Sequence, residues 1–243
     1  MSLEAARERR RARGREGFNK GQGAEPEKPP GPATSAMSPT ALANNGESLP
    51  GTPRLLIEFP PAATADNSSE VSAITKLVND VFIEGEAGIW NNGYVRTSDA
   101  EVADFIRRGQ LALAYLVSPK LASEKGLDRK GQLVGCVCVK RNSDSLCTLS
   151  MLALDRSYQG LGLGREIFQF VEEYCLALGC TTLGLDILVP TTYDHPLKTR
   201  MQAWYKRRGF RETRLADFAE EYPALAPLLS GPVVYRVFEK KLR

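Results

Sequence analysis

The chain has 243 residues, with 32 Lys+Arg against 29 Asp+Glu, one His and five Cys, and it is 42% hydrophobic and 25% charged, a globular composition rather than a collagenous, disulfide-framework or wholly disordered one. Its apolar runs, such as Leu111 to Val117, fall well short of the roughly 18 to 20 residues a membrane-spanning helix needs, and Arg7 to Arg15 is nearly all charge where a signal peptide would carry an apolar core. A net charge of +3 argues against nucleic acid as the main partner, and five cysteines without metal-finger spacing set a reducing compartment as the default.

Nine of the fifteen prolines lie between Pro26 and Pro61, among Gly, Ala, Ser and Thr, so residues 1–52 read as a disordered tail. Its first twenty residues carry a local charge of +4, which suits a solvated tail, a nuclear address or a contact with an acidic surface. Residues 53–243 then alternate between elements sized for one domain. Leu55 to Phe59 reads as a strand stopped by Pro60 and Pro61. Val71, Ile74, Leu77, Val78, Val81 and Phe82 follow helical spacing, with Ser68 or Ser69 available as the cap. A shorter helix through Val102, Phe105 and Ile106 ends at Gly109. Leu111 to Val117, Leu133 to Val139 and Leu146 to Leu154 are three apolar strands. Leu163, Ile167, Phe170, Val171, Tyr174 and Leu178 stripe a long helix that stops at Gly179. Leu183 to Val189 is a strand, Thr199 to Arg208 a helix ending at Gly209, and Val233 to Phe238 a last strand. Helices between strands, with hairpin and crossover connections, give an α/β sandwich on a mixed sheet.

The most informative stretch is Met151 to Arg165, MLALDRSYQGLGLGR, a strand followed closely by the long helix. Gly160, Gly162 and Gly164 let backbone N–H groups converge without Cβ interference, and the helix start adds partial positive charge. No Lys-Ser or Lys-Thr follows, so this is not a Walker loop, and the spacing does not give the dinucleotide fingerprint. Two readings stay open, a pyrophosphate cradle and a glycine-rich turn without a ligand.

Here the sequence resembles the GCN5-related N-acetyltransferases. Their signature, Gln or Arg, two residues, Gly, one residue, Gly or Ala, is matched by Gln159, Gly162 and Gly164. Ala203 to Phe210, AWYKRRGF, resembles the family's helix-to-strand segment, Gly131 to Val137 the strand before the cofactor strand, and Glu86 to Trp90 the loop after the first helix. The likeness runs from Arg54 to Arg243, and Asp186 to Phe210 is similar to uncharacterised fungal members.

The resemblance implies a mixed, mostly antiparallel central sheet flanked by helices, with acetyl-CoA in a V-shaped opening between two splayed strands. It implies that the backbone of Leu152, Ala153 and Leu154 holds the pantetheine and that Gln159, Gly160, Leu161, Gly162, Leu163, Gly164 and Arg165 hold the pyrophosphate. It implies direct acetyl transfer to a primary amine, a small molecule before a protein lysine, with a CoA-binding module lacking catalysis as the alternative from another class. Tyr205 falls at the family's usual acid position, to protonate the leaving thiolate; an aromatic packing its helix beside Trp204 is the other reading.

The base is less legible, because Thr148 to Met151 offers no carboxylate where family members often place one. Asp186 stands inside an otherwise apolar strand, where a carboxylate must face a partner or a wet cleft, so it is a candidate base or an ion-pair partner for Arg. Glu84 and Glu86 are candidates for holding an amine or plain surface acids. His195, as the single histidine, excludes a multi-His metal site and reads as a loop residue or a substrate contact. Cys175 and Cys180 have no His to activate them. Ala216 to Pro232 is either an acidic lid carrying Asp217, Glu220 and Glu221 or a short packed helix. The expected setting is cytoplasmic, with the basic tail allowing a nuclear one, and the oligomeric state stays open, a homodimer included.

Overall fold

The computed structural model describes residues 53–117 and 131–243; the tail expected to be disordered, residues 1–52, lies outside them. Seven strands form one sheet: β1 (Arg54–Glu58), β2 (Leu111–Val117), β3 (Gln132–Arg141), β4 (Leu146–Leu154), β5 (Thr182–Pro190), β6 (Arg211–Ala216) and β7 (Val233–Lys241). Their spatial order is β1-β2-β3-β4-β5-β7-β6, antiparallel throughout except for the parallel pair β4 and β5. The helices are α1 (Ser68–Gly85), α2 (Asp99–Arg107), α3 (Leu163–Ala177), α4 (Pro196–Arg207) and the single turn α5 (Phe218–Glu221). This is the mixed, mostly antiparallel sheet flanked by helices that the sequence implied.

Strand alternation sorts the core into two layers. Leu111, Leu113 and Tyr115 of β2 join Cys136, Cys138 and Met151 against Val71, Ile74 and Val78 of α1 and Val102, Phe105 and Ile106 of α2. Ala112 and Ala114, with Val137, Val139 and Leu149, face the opposite way, onto Ile167, Phe168 and Val171 of α3 and onto Tyr205 and Phe210. Phe168 is fully buried, which is worth about 1.5–3 kcal/mol, and it meets Trp204 and Phe210 edge-on. The α3 stripe is therefore centred on Phe168 and Cys175, one step round from the Phe170 and Tyr174 edge marked in the sequence.

Several helix starts differ from the sequence reading, for local reasons. Asn67, not Ser68 or Ser69, caps α1, accepting the N–H of Glu70. In α4 the helix begins at Pro196 rather than Thr199. Proline suits a first helical position, and His195 caps it by accepting the Lys198 N–H on Nδ1. β6 was not among the apolar strands read from the sequence, because RETRLA is an exposed edge strand paired only with β7 and has no apolar face to advertise it.

Between β6 and β7 the acidic lid is replaced by a packed turn. Phe218, Tyr222 and Leu225 are buried with Tyr235, Asp217 caps α5, and Glu221 is buried and bonded to Arg214 at 2.6 Å. Asp217 and Glu221 are thus committed to structure, while Glu220 is exposed.

Candidate active site

β4 and β5 pair only where Leu146–Thr148 faces Thr182–Gly184. Gly184 permits that close approach, since a Cβ there would stand 3.2 Å from the Thr148 methyl. Beyond it the strands diverge into a fork. On the other side of β4, the three-residue step from Ser150 to Ala153 faces the two-residue step from Cys138 to Cys136 of β3, a bulge centred near Met151. Met151 has φ of 50°, in the left-handed region that non-glycine residues rarely occupy, so the bulge holds stored backbone strain that re-aims the end of β4.

Past the fork, Asp155 caps a short 3₁₀ turn at Arg156–Tyr158, and Gln159 folds back so that its amide donates to the Leu154 carbonyl at 3.1 Å. Gly160 and Gly162 then take φ of 81° and 89° and turn the chain into α3, with Gly162 as its cap. A Cβ at either position would meet nothing within 4 Å. The turn thus leaves open space in front of the first N–H groups of α3, where the helix dipole favours an anion.

That space is the end of a cleft of about 600 Å³. Leu152, Leu154, Gln159, Gly160, Gly162, Gly164 and Arg165 line it on one side, the end of α1 and residues of α4 on the other. Of the other residues named from sequence for this side, Ala153 and Leu163 lie in the core, and Leu161 projects into solvent at 67% exposure. Arg156 and Glu84 also line the cleft and are ion-paired, one guanidinium nitrogen lying 3.0 Å from each carboxylate oxygen. Glu84 therefore meets a cation of the chain itself.

At its inner end the cleft abuts a smaller cavity of about 70 Å³ within the fork. Phe82, Glu86, Leu152, Lys198, Met201 and Tyr205 are common to both walls. The smaller cavity is also lined by Ser150 of β4, Asp186 of β5, Tyr235 of β7 and Arg96. Asp186 and Tyr205, 19 residues apart in the chain, are thus brought to one cavity. Burial first, and the Asp186 carboxylate second, push the Tyr205 phenol above its usual value of 10, so it stays protonated throughout the neutral range.

Glu86 is not a surface acid. It is buried beside Lys198 at 3.0 Å, and its second oxygen accepts the Trp90 indole N–H at 2.7 Å. Burial would raise its pKa, but the charges of Lys198 and Arg96 and the two donated hydrogen bonds outweigh this and hold the carboxyl below the usual 4.5. Arg96, 4% exposed, stacks its guanidinium 4.9 Å from the Phe82 ring centre. Sequence reasoning missed Arg96 and Lys198. Lys198 follows a His-Pro helix start and Arg96 sits in a polar loop, so nothing local marked either as buried.

His195 is absorbed as the α4 cap, and desolvation with the nearby Lys198 charge lowers its pKa, leaving it neutral at pH 7. All five thiols are buried. Desolvation pushes Cys136 up to about 12, and Cys147 and Cys180 are raised as well, which disfavours the thiolate a covalent mechanism needs. No helix among the described residues is long and apolar enough to cross a membrane.

Comparison with known proteins bears on this arrangement. The model of the acetyltransferase (GNAT) family matches residues 95–210, from the Arg96 loop through the glycine turn to the end of α4. Amino-acid acetyltransferases of Pseudomonas aeruginosa and Pseudomonas paraeruginosa are 30% identical over 118 residues, 48% of this chain. The chain spans about a quarter of the length of these curated relatives, since the match covers 24% of each. Among solved structures, the PaiA N-acetyltransferase of Thermoplasma acidophilum in complex with coenzyme A superposes with a TM-score of 0.54 at 14% identity, covering 77% of this chain and 99% of that one. An aminoglycoside 6'-N-acetyltransferase complexed with coenzyme A gives 0.51 at 13% identity, covering 73% and 93%. Those two likenesses concern the fold. The family match covers just under half of the chain, and within it the glycine turn, β4, β5 and α4 are similar to the GNAT acetyltransferases.

Proposed function

We propose that the protein is an acetyl-CoA-dependent N-acetyltransferase that transfers acetyl directly to a primary amine of a small molecule. The observation that carries this reading is that the two cavities lie side by side and share Leu152, Lys198 and Tyr205 in their walls. A long donor cleft ends at a glycine-lined helix start, and a small cavity that includes Asp186, Glu86, Lys198 and Arg96 in its wall adjoins it. The residues fit coenzyme A: the cradle is open where a Cβ would intrude, the helix N–H groups and Arg165 supply positive charge for a pyrophosphate, and the diverging end of β4 presents Leu152 and Leu154 along the cleft.

Acetyl-CoA supplies an activated thioester; the chain supplies orientation and two proton movements. A backbone N–H at the end of β4, re-aimed by the Met151 bulge, is placed to polarise a carbonyl, a contribution of roughly 2.7–4 kcal/mol for a well-set donor. Asp186 takes the proton of the incoming ammonium, directly or through water beside Ser150. Tyr205, kept neutral by burial, gives its proton to the departing sulfur and is restored by the second proton lost from the attacking nitrogen. The small volume of the fork favours a small acceptor over a protein lysine.

The test is release of free thiol from acetyl-CoA by the full chain, with and without amines, alongside calorimetric titration with acetyl-CoA, CoA and NADH. Amine-dependent thiol release with micromolar acetyl-CoA binding is the expected result. Acetyl-CoA binding without release by any amine would reduce the protein to a CoA-binding module.

A further inference from the structure

Two ion pairs stand in the wall of the donor cleft, and they differ in kind. Arg156, on the turn after β4, and Glu84, at the end of α1, are 72 residues apart in the chain and both line the cleft. One Arg156 nitrogen lies 3.0 Å from each Glu84 oxygen, and the two side chains are 78% and 57% exposed. The Lys198 and Glu86 side chains, nearer the fork, are 4% and 9% exposed. A pair in water is worth little and opens at little cost, whereas breaking a buried pair strands a desolvated charge. The outer pair is therefore the one that a ligand can take apart.

The ligand that this cleft suits is an anion. Coenzyme A carries a diphosphate and a ribose phosphate, and the cations lining the cleft are Lys198, committed to Glu86, together with Arg165 and Arg156. Arg156 stands four residues before Gly160, on the wall that leads into the glycine turn, and its long stem lies in solvent and is free to swing. Its bond to Glu84 runs through a single nitrogen. A phosphate offers several oxygens to the planar fork of a guanidinium, so it can engage two nitrogens at once.

Resting on the acetyl-CoA reading above, we propose that Arg156 is a phosphate-binding residue of the donor site and that Glu84 is its resting partner, displaced when the donor enters. Glu84 competes with the phosphate for one guanidinium. It thereby lowers donor affinity and eases the departure of CoA after transfer. Neither residue takes part in the proton chemistry of Asp186 and Tyr205.

The test is calorimetric titration of the full chain and its variants with CoA and 3′-dephospho-CoA, with circular dichroism to check folding. Glu84→Gln should tighten CoA about twofold to fivefold, the scale of an exposed pair. Arg156→Gln should weaken it about fivefold or more, and Arg156→Lys should recover part of that loss. Opposite shifts are the signature of competition. If the pair only held α1 to the turn, both Gln variants would weaken CoA alike, and that outcome would overturn the proposal. Asp80→Asn controls for a general field, because Asp80 lines the same cleft but is paired with Lys76. Tightening equal to that of Glu84→Gln would also overturn it. The variants should bind pantetheine, which lacks phosphate, no differently from the parent, and the same opposite shifts with pantetheine would remove phosphate from the account. Shifts that persist with 3′-dephospho-CoA assign Arg156 to the diphosphate, and shifts that vanish with it assign Arg156 to the ribose phosphate. Thiol release by a parent whose CoA affinity neither Gln variant alters would sink this inference and leave acetyl transfer standing. Opposite shifts with no thiol release under any amine would do the reverse.

Discussion

The donor side of the cleft and the fork at its inner end are made in opposite ways. The donor side is one continuous stretch, β4 running through Gln159 and the glycines into α3, and much of what it offers is backbone: strand edge, left-handed turn and helix N–H groups. The fork is made of side chains that come from Phe82 to Tyr235 and meet only because β4 and β5 part after Thr148. A backbone site tolerates changes of side chain but not of dihedral angle. A site of buried charges tolerates neither loss nor addition of a single charge. Substitutions should therefore separate the two sides cleanly.

The largest effect is expected at Lys198. Replacing it by Met leaves Glu86 buried without its nearest cation and should cost about 3–5 kcal/mol of stability in urea unfolding. A cost under about 1 kcal/mol would mean that Arg96 and Trp90 alone satisfy the carboxylate. The same pair sets an acid limit. Because the folded pKa of Glu86 lies below the usual 4.5, its contribution is complete above that value and is lost as pH falls through the lower folded value. Glu86→Gln should accordingly flatten the loss of stability below pH 4.5, measured as melting temperature against pH.

Tyr205→Phe comes next. Turnover should fall by about 10²-fold or more, the scale of a lost general acid, with acetyl-CoA affinity nearly unchanged. Unchanged turnover would return Tyr205 to its packing role between Phe168 and Phe238.

On the donor side, Gly162→Val should weaken both fold and acetyl-CoA binding, chiefly through strain, since a Cβ at φ of 89° costs about 1–2 kcal/mol although the space beside it is open. Gly164→Ala separates the two effects. Its helical backbone accepts a Cβ, which would rest 3.8 Å from Trp204, so the fold should gain up to about 1 kcal/mol as acetyl-CoA binding weakens. Binding equal to the parent's would remove Gly164 from the cradle. The smallest change is Asn67→Ala, which removes the α1 cap. It should cost about 1 kcal/mol in stability and leave turnover untouched, a control remote from both sides.

The contrast also explains what could be read in advance. The glycine turn was legible because its conformation lies in local dihedral angles, which Gly160 and Gly162 announce at their own positions. Tyr205 was legible through the resemblance of Ala203 to Phe210 to the family's helix-to-strand segment, and Asp186 through being an acid in an apolar strand. Arg96, Lys198 and the burial of Glu86 were not. A charged residue in a polar loop or at a helix start has the same local signature whether it ends in solvent or in the core. The Met151 bulge was hidden as well, because a methionine in an apolar strand carries no mark of a positive φ.

The sequence by itself determined the order of the apolar strands and helices, the turn into α3 and, by resemblance and by an acid in an apolar strand, Tyr205 and Asp186 as candidates. The elements and the turn depend on periodicity or on the conformational preference of single residues. Tertiary structure alone decided where β4 and β5 separate, which charges are buried between them and how those charges balance. These are sums over contacts between residues far apart in the chain, and desolvation, which governs the energy of each buried charge, is a property of the packed surroundings rather than of the residue.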